Sequence, residues 1–162
     1  MLERMRLPAL GLALVTAVAA CSTDNVTGGQ LVRSQVGDLV LEGSVGRSVL
    51  GVGDTTSVVF RLRNAGAARL DLVFTSSCQV VPFITTRDPA DFVYPGGGWW
   101  GCAAVMTPLA LEPGAEFVTT VLVRGGASGP GVALPVGQYL AYARVEHPSF
   151  PLQSEPLAIV VR

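Results

Sequence analysis

The chain has 162 residues, enough for one domain of ordinary size with a core of its own. It is 49% hydrophobic and 14% charged, and all 11 basic residues are arginine against 12 acids, a net charge of −1. That balance offers no basic patch to neutralise phosphates, which excludes nucleic acid as an expected partner.

At the N-terminus, Arg4 and Arg6 precede an apolar stretch, Leu7 to Ala17, that is too short to span a bilayer comfortably. Small residues follow, Val18-Ala19-Ala20, and then Cys21. This layout resembles the lipobox of bacterial lipoproteins. The resemblance implies that residues 1–20 are a cleaved signal peptide and that Cys21, acylated as the first mature residue, anchors the chain in a membrane. An ordinary secretory signal with an unrelated cysteine after it is the alternative, and either reading exports the chain. Ser22, where aspartate would retain the protein at the inner membrane, resembles the outer-membrane pattern. The expected location is therefore the cell envelope, facing the periplasm or the cell surface. Residues 21–37, polar and glycine-containing at the start, read as a lipidated tether, with the folded domain at 38–162.

From Asp38 the pattern is strand, turn, strand. Leu39 to Val45 is a first strand, and Gly51-Val52-Gly53-Asp54 is a turn. Thr55 to Arg63 alternates, with Val58, Phe60 and Leu62 on one face and Arg61 and Arg63 on the other, the period of a half-buried strand. Asn64-Ala65-Gly66 turns the chain, and Leu70, Leu72 and Phe74 repeat the alternation. Val80 to Thr85 is a shorter strand in which Pro82 signals an edge or a bulge. Thr86 to Gly101, punctuated by Pro89, Pro95 and three glycines, reads as a long loop carrying aromatic residues. Strands follow at Glu116 to Arg124, around Tyr139 to Val145, and at Leu157 to Val161. Gly125 to Gly131 is a glycine-rich loop with no helix after it, so it does not read as a phosphate cradle. The mature chain shows no sustained helical period. The fold class expected is all-β, an immunoglobulin-like antiparallel sandwich of about seven strands. Leu134-Pro135-Val136-Gly137-Gln138-Tyr139 reads either as a tyrosine corner, the phenol bonding back across the turn, or as a core tyrosine after a generic turn.

With Cys21 given to the lipid by the lipobox resemblance, Cys78 and Cys102 remain. In an exported protein they form the one available disulfide, with two unpaired buried thiols as the alternative. Closing a loop of about 25 residues stabilises by roughly 3 kcal/mol in the chain-entropy account. That loop holds Trp99 and Trp100. Adjacent side chains of an extended backbone point to opposite sides, so one of the two is expected inward and the other available as a binding anchor.

Catalytic chemistry is poorly supplied. His147 is the single histidine, expected on a solvated surface loop and insufficient for a multi-histidine metal site. No serine sits in a Gly-x-Ser-x-Gly elbow. Asp88 and Asp91 flank Pro89 and read as a turn. The expectation is no catalytic residue, no metal, no cofactor and no enzymatic activity.

A run of short motifs spans the domain: a strand ending at Asn64, Leu70-x-Leu72-x-Phe74-Thr75-Ser76-Ser77, the Asp91-Phe92 element, a tryptophan, Leu111-Glu112-Pro113-Gly114, and Pro135-Val136-Gly137-Gln138-Tyr139. From Val40 to Val161 these resemble the bacterial intracellular proteinase inhibitor (BsuPI-like) domain. That resemblance implies an immunoglobulin-like sandwich that binds a protein, a protease among the candidates. Here the tryptophans lie in a glycine-rich insertion bracketed by cysteines, and no inhibitory residue is carried over. The alternative reading is a structural or carbohydrate-binding accessory module of the envelope, with Trp99 or Trp100 stacking on sugar rings.

Overall fold

The structure, a computed structural model, describes residues 29–88, 91–95, 101–126 and 128–162. Among these residues the chain is all-β and contains no helix. Its strands are β1 (Gln30–Val36), β2 (Leu39–Val45), β3 (Val49–Leu50), β4 (Thr55–Asn64), β5 (Leu70–Phe74), β6 (Val80–Thr86) and β7 (Phe92–Tyr94), followed by β8 (Thr107–Leu111), β9 (Glu116–Gly125), β10 (Val132–Leu134), β11 (Gly137–Val145), β12 (Leu152–Gln153) and β13 (Leu157–Val161).

Two sheets make a sandwich. One runs in the order β1-β2-β4-β9-β10, the other β3-β13-β11-β6-β7 with β12 against β11, and β5 and β8 form a separate ribbon. The alternation in the sequence explains the layering. Leu39, Leu41 and Val45 of β2, Val58, Phe60 and Leu62 of β4, and Val121 and Val123 of β9 enter the core from one sheet. Val80 and Ile84 of β6, Tyr139, Ala141, Ala143 and Val145 of β11, and Leu157, Ile159 and Val161 of β13 meet them from the other. Leu72, Phe74 and Leu111 of the ribbon join the same core. On the opposite face of the first sheet Glu42 lies opposite Arg61 and Arg63 opposite Glu116 across the strand pairs, with Val118 and Leu122 exposed beside them.

The sandwich has more strands than the sequence pattern suggests, nine of five or more residues and four of two or three. Two of the short ones, β10 beside β9 and β3 beside β13, pair in parallel. Segments of two or three residues show no readable period, which is why they and their direction escape pattern analysis. The domain also starts earlier than residue 38: Gln30–Val36 pairs along the whole of β2. This edge strand carries one residue packed on the core, Val32, and exposes Leu31, Arg33, Gln35 and Val36, so its composition reads as tether. Within the expected long loop, Phe92–Tyr94 adds to the end of β6. Pro82 lies on the part of β6 that β7 does not reach, where a missing N–H costs no ladder bond, and the irregularity sits beyond it at Ile84/Thr85.

The tyrosine corner is present. The Tyr139 hydroxyl donates to the Pro135 carbonyl at 2.8 Å. Burial of the ring raises the phenol's pKa above its ordinary value of 10.0. The fold therefore favours the neutral phenol. Below the unfolded value both states hold the proton; above it the unfolded chain releases its proton first, and stability falls as pH rises through the folded value. Tyr139→Phe is expected to cost about 1 kcal/mol at neutral pH and to flatten this alkaline decline. Urea unfolding of both proteins at neutral pH and above pH ~10 checks it; equal stability at neutral pH would show that the bond contributes nothing.

Candidate functional site

The region with the most unusual composition is the outer face of the second sheet. In β6 the first five of seven positions are apolar, and the strand is buried on both sides. Val80 and Ile84 face the main core, while Val81 and Phe83 face out, beside Tyr142 of β11. These three outer residues are nonetheless buried, in a second small cluster against which Cys78 and Phe92 pack. Phe83 stacks on Tyr142 with ring centroids 5.3 Å apart and meets Phe92 at 5.6 Å. Arg144 covers the exposed side, its guanidinium 5.1 Å from the Phe83 ring centre and 5.5 Å from that of Tyr142, while Nε donates to Gln153 Oε1 at 2.8 Å. A charged head over stacked rings seals the cluster from water while remaining solvated itself.

The disulfide lies beside this cluster. Cys78 and Cys102 are bonded, with Cα atoms 5.7 Å apart and a sequence separation of 24. Next to it the Ser77 N–H donates to the Ala103 carbonyl and the Ala103 N–H to Ser77 Oγ, both at 2.9 Å. The cross-link is thus doubled by a backbone clamp. Beyond the clamp, Ala103, Ala104, Val105 and Met106 are all exposed before the chain enters β8. Val73 and Pro108, opposite one another across the β5–β8 ribbon, extend that apolar surface.

Trp99 and Trp100, the candidate anchors, and Cys21, the candidate lipidation site, lie outside the described residues. The groups considered for chemistry are each engaged elsewhere. His147 is not on a solvated loop. It is buried, edge-on to Phe74 at 5.2 Å and beside Phe150 at 5.3 Å, and its Nδ1 accepts from the Ser149 N–H at 3.2 Å. Phe150 is near in sequence, but Phe74 belongs to a distant strand, and its cover is not visible locally. The Asp91 N–H donates to the Asp88 carbonyl at 3.0 Å and the Asp91 carboxylate accepts from Thr86 Oγ1 at 3.1 Å, the bonding of a turn. Sequence reasoning missed the exposed apolar run 103–106; four consecutive apolar residues after a cysteine were the available signal.

No protein-family model matches the chain, and no curated protein does. Among solved structures, the β-glucosidase EmGH1 of Erythrobacter marinus matches with a TM-score of 0.39 and 15% identity over 74% of this chain and 15% of its own. A β-glucosidase of Listeria innocua in complex with gluconolactone matches with a TM-score of 0.37 and 12% identity over 82% of this chain and 16% of its own. The C-terminal domain of Wzt matches with a TM-score of 0.42 and 15% identity, over 83% of this chain and 74% of that domain. The chain thus spans only 15% and 16% of the two glucosidase chains. Likenesses this distant carry no argument about activity or substrate.

Proposed function

We propose that the protein is an exported lipoprotein of the cell envelope whose sandwich binds another protein without catalysing a reaction, a proteinase being the partner to which the family resemblance points. The observation that supports this most is the Cys78–Cys102 bond, since structural disulfides belong to oxidising compartments. Cys21 then stands apart from the pair, at the end of the segment read as a signal. The early start of the sandwich at Gln30 leaves only residues 22–29 between Cys21 and the first strand. At full stretch such a linker reaches roughly 30 Å, so an acyl chain on Cys21 holds the domain close to the membrane surface. The engagement of His147, Asp88 and Asp91 in packing and turn bonds favours binding over catalysis.

Cys21→Ala tests the anchor. Expressed in a bacterial host, the wild-type protein is expected in the membrane fraction with a lipid mass on its N-terminal peptide, and the variant in the soluble envelope fraction. Membrane association unchanged by the substitution would remove the lipoprotein reading.

A further inference from the structure

We infer that the end of the sandwich from which the tether leaves is a second membrane contact. Val52 and Val136 dip among the headgroups of an anionic phospholipid surface, and Arg87, Arg124 and Arg162 around them meet its phosphates. The inference rests on the lipoprotein reading above and deepens it, because it fixes which end of the domain faces the bilayer.

Four observations converge on this end. The first is topology. β1 starts here, at Gln30 opposite Val45. The turn between β3 and β4 lies at the same end, held by the Gly53 N–H to the Gly125 carbonyl and the Gly125 N–H to the Asp54 carbonyl. So do the turn between β10 and β11 and the end of β13, where the Arg162 N–H donates to the Leu50 carbonyl. The Gln30 amide fixes the exit point: Nε2 donates to the Ala158 carbonyl at 3.3 Å and Oε1 accepts from the Ala158 N–H at 2.9 Å. The chain that leads to Cys21 is thus rooted on both sheets at this end, while the other end lies the length of β4 away, roughly 33 Å for its 10 residues. The second is exposed apolar surface. Val52, Leu31 and Val136, at 73%, 70% and 70%, are the most exposed large apolar side chains among the described residues. Val52 and Val136 tip two turns at this end, where polar residues are the rule, and Leu31 flanks them on β1. The third is charge. Arg47, Arg87, Arg124 and Arg162 stand at this end against Asp54, Asp88 and Asp91. The far end, with its ribbon, carries Asp38, Asp71, Glu112, Glu116 and Glu146 against Arg63 and Arg69. An anionic surface therefore attracts the tether end and repels the other. The fourth is pairing. Arg63 and Arg69 are held by acids at the far end, and Arg47 by Asp54, but Arg87, Arg124 and Arg162 make no ion pair among the described residues. Arg124 lies half-buried beneath Gly129, its Nε without a hydrogen-bond partner. The protein supplies these guanidinium groups with no anion, and their planar forks match phosphate oxygens.

The protein isolated from the envelope is reconstituted into lipid nanodiscs of phosphatidylcholine, with or without an equal part of phosphatidylglycerol. A lipid with a nitroxide headgroup is included, and the paramagnetic broadening of each backbone amide is read by NMR. On the anionic discs the amides of Val52 and Val136 are expected to broaden strongly and those of Ala67 and Gly114, at the far end, to stay sharp. The contrast is expected to shrink on phosphatidylcholine alone and at about 1 M salt, where the Debye length is about 3 Å. Arg87→Glu with Arg162→Glu, both exposed and unpaired, is expected to reduce the oriented population by about fivefold or more for each arginine lost. The amide spectrum itself confirms that this variant folds. Equal broadening at both ends on anionic discs, with the acyl group present on Cys21, would overturn the inference and leave the lipoprotein reading intact. A contrast indifferent to phosphatidylglycerol, to salt and to the double substitution would also overturn it, since the tether alone would then account for proximity. If Cys21 carries no acyl group, the lipoprotein reading fails. The surface is then tested by sedimenting the same protein with phosphatidylglycerol vesicles, where no sedimentation would overturn it and sedimentation lost in the double variant would support it.

Discussion

Replacing Asn64 with alanine is expected to cost about 3 kcal/mol of stability, read as a lowered midpoint of urea unfolding with an unchanged slope. Asn64 ends β4 fully buried. Its Nδ2 donates to the Ala68 carbonyl at 2.7 Å and to the Leu111 carbonyl at 2.9 Å, and its Oδ1 accepts from the Gly66 N–H at 2.9 Å. Its backbone adds bonds to Ala115 and Gly114. One side chain therefore ties the turn after β4 to the end of β8 and to the turn before β9. Removing it leaves the buried Leu111 carbonyl and the part-buried Ala68 carbonyl and Gly66 N–H without this partner, and a buried group left so costs about 1–3 kcal/mol. Asn64→Asp is expected to fare no better, because a carboxylate cannot donate to the two carbonyls and is expensive to bury. A loss below about 1 kcal/mol for Asn64→Ala would mean that water or a backbone shift satisfies these groups and that the side chain is not the tie described.

Converting both Cys78 and Cys102 to alanine is expected to cost about 3 kcal/mol, the chain-entropy value for a loop of this length. The effect is expected to be local as well. The main core between the sheets does not include the two cysteines, whereas the Val81–Phe83–Tyr142 cluster packs against Cys78. The double variant should therefore remain folded but expose this outer face, with faster amide exchange on the outer side of β6 and faster proteolysis after Met106. Reductant should reproduce the loss in the wild-type protein and have no effect on the variant. Equal stability of the two proteins would mean that the clamp between Ser77 and Ala103, with the ring contacts, holds the segment unaided.

Much of the architecture was legible because two-residue periodicity is a strong signal where a strand has one wet face. Val58, Phe60 and Leu62 of β4 and Tyr139, Ala141, Ala143 and Val145 of β11 lie where alternation puts them. The Tyr139 bond and the Cys78–Cys102 bond were legible for other reasons, a turn motif in one case and cysteine arithmetic in the other. Alternation is weak where a strand is an edge, so β1 read as tether. It is uninformative where both faces are dry, so the outward packing of Phe83 and Tyr142 was not visible. Asn64 looked like an ordinary turn residue, because its partner at Leu111 is remote in sequence. His147 read as solvated for the same reason: the Phe74 ring that covers it belongs to a distant strand. The run 103–106 was visible as four apolar residues after a cysteine, but its exposure comes from the fold.

The claim on which the rest depends is the division of labour among the three cysteines. Intact mass measurement of the protein isolated from the envelope, alkylated before and after reduction, tests it directly. The expected protein begins at Cys21 with acyl mass on that residue, has no thiol alkylated before reduction and has two alkylated after it. A chain with Cys78 and Cys102 alkylated without reduction, or with an unmodified Cys21 thiol, would contradict it.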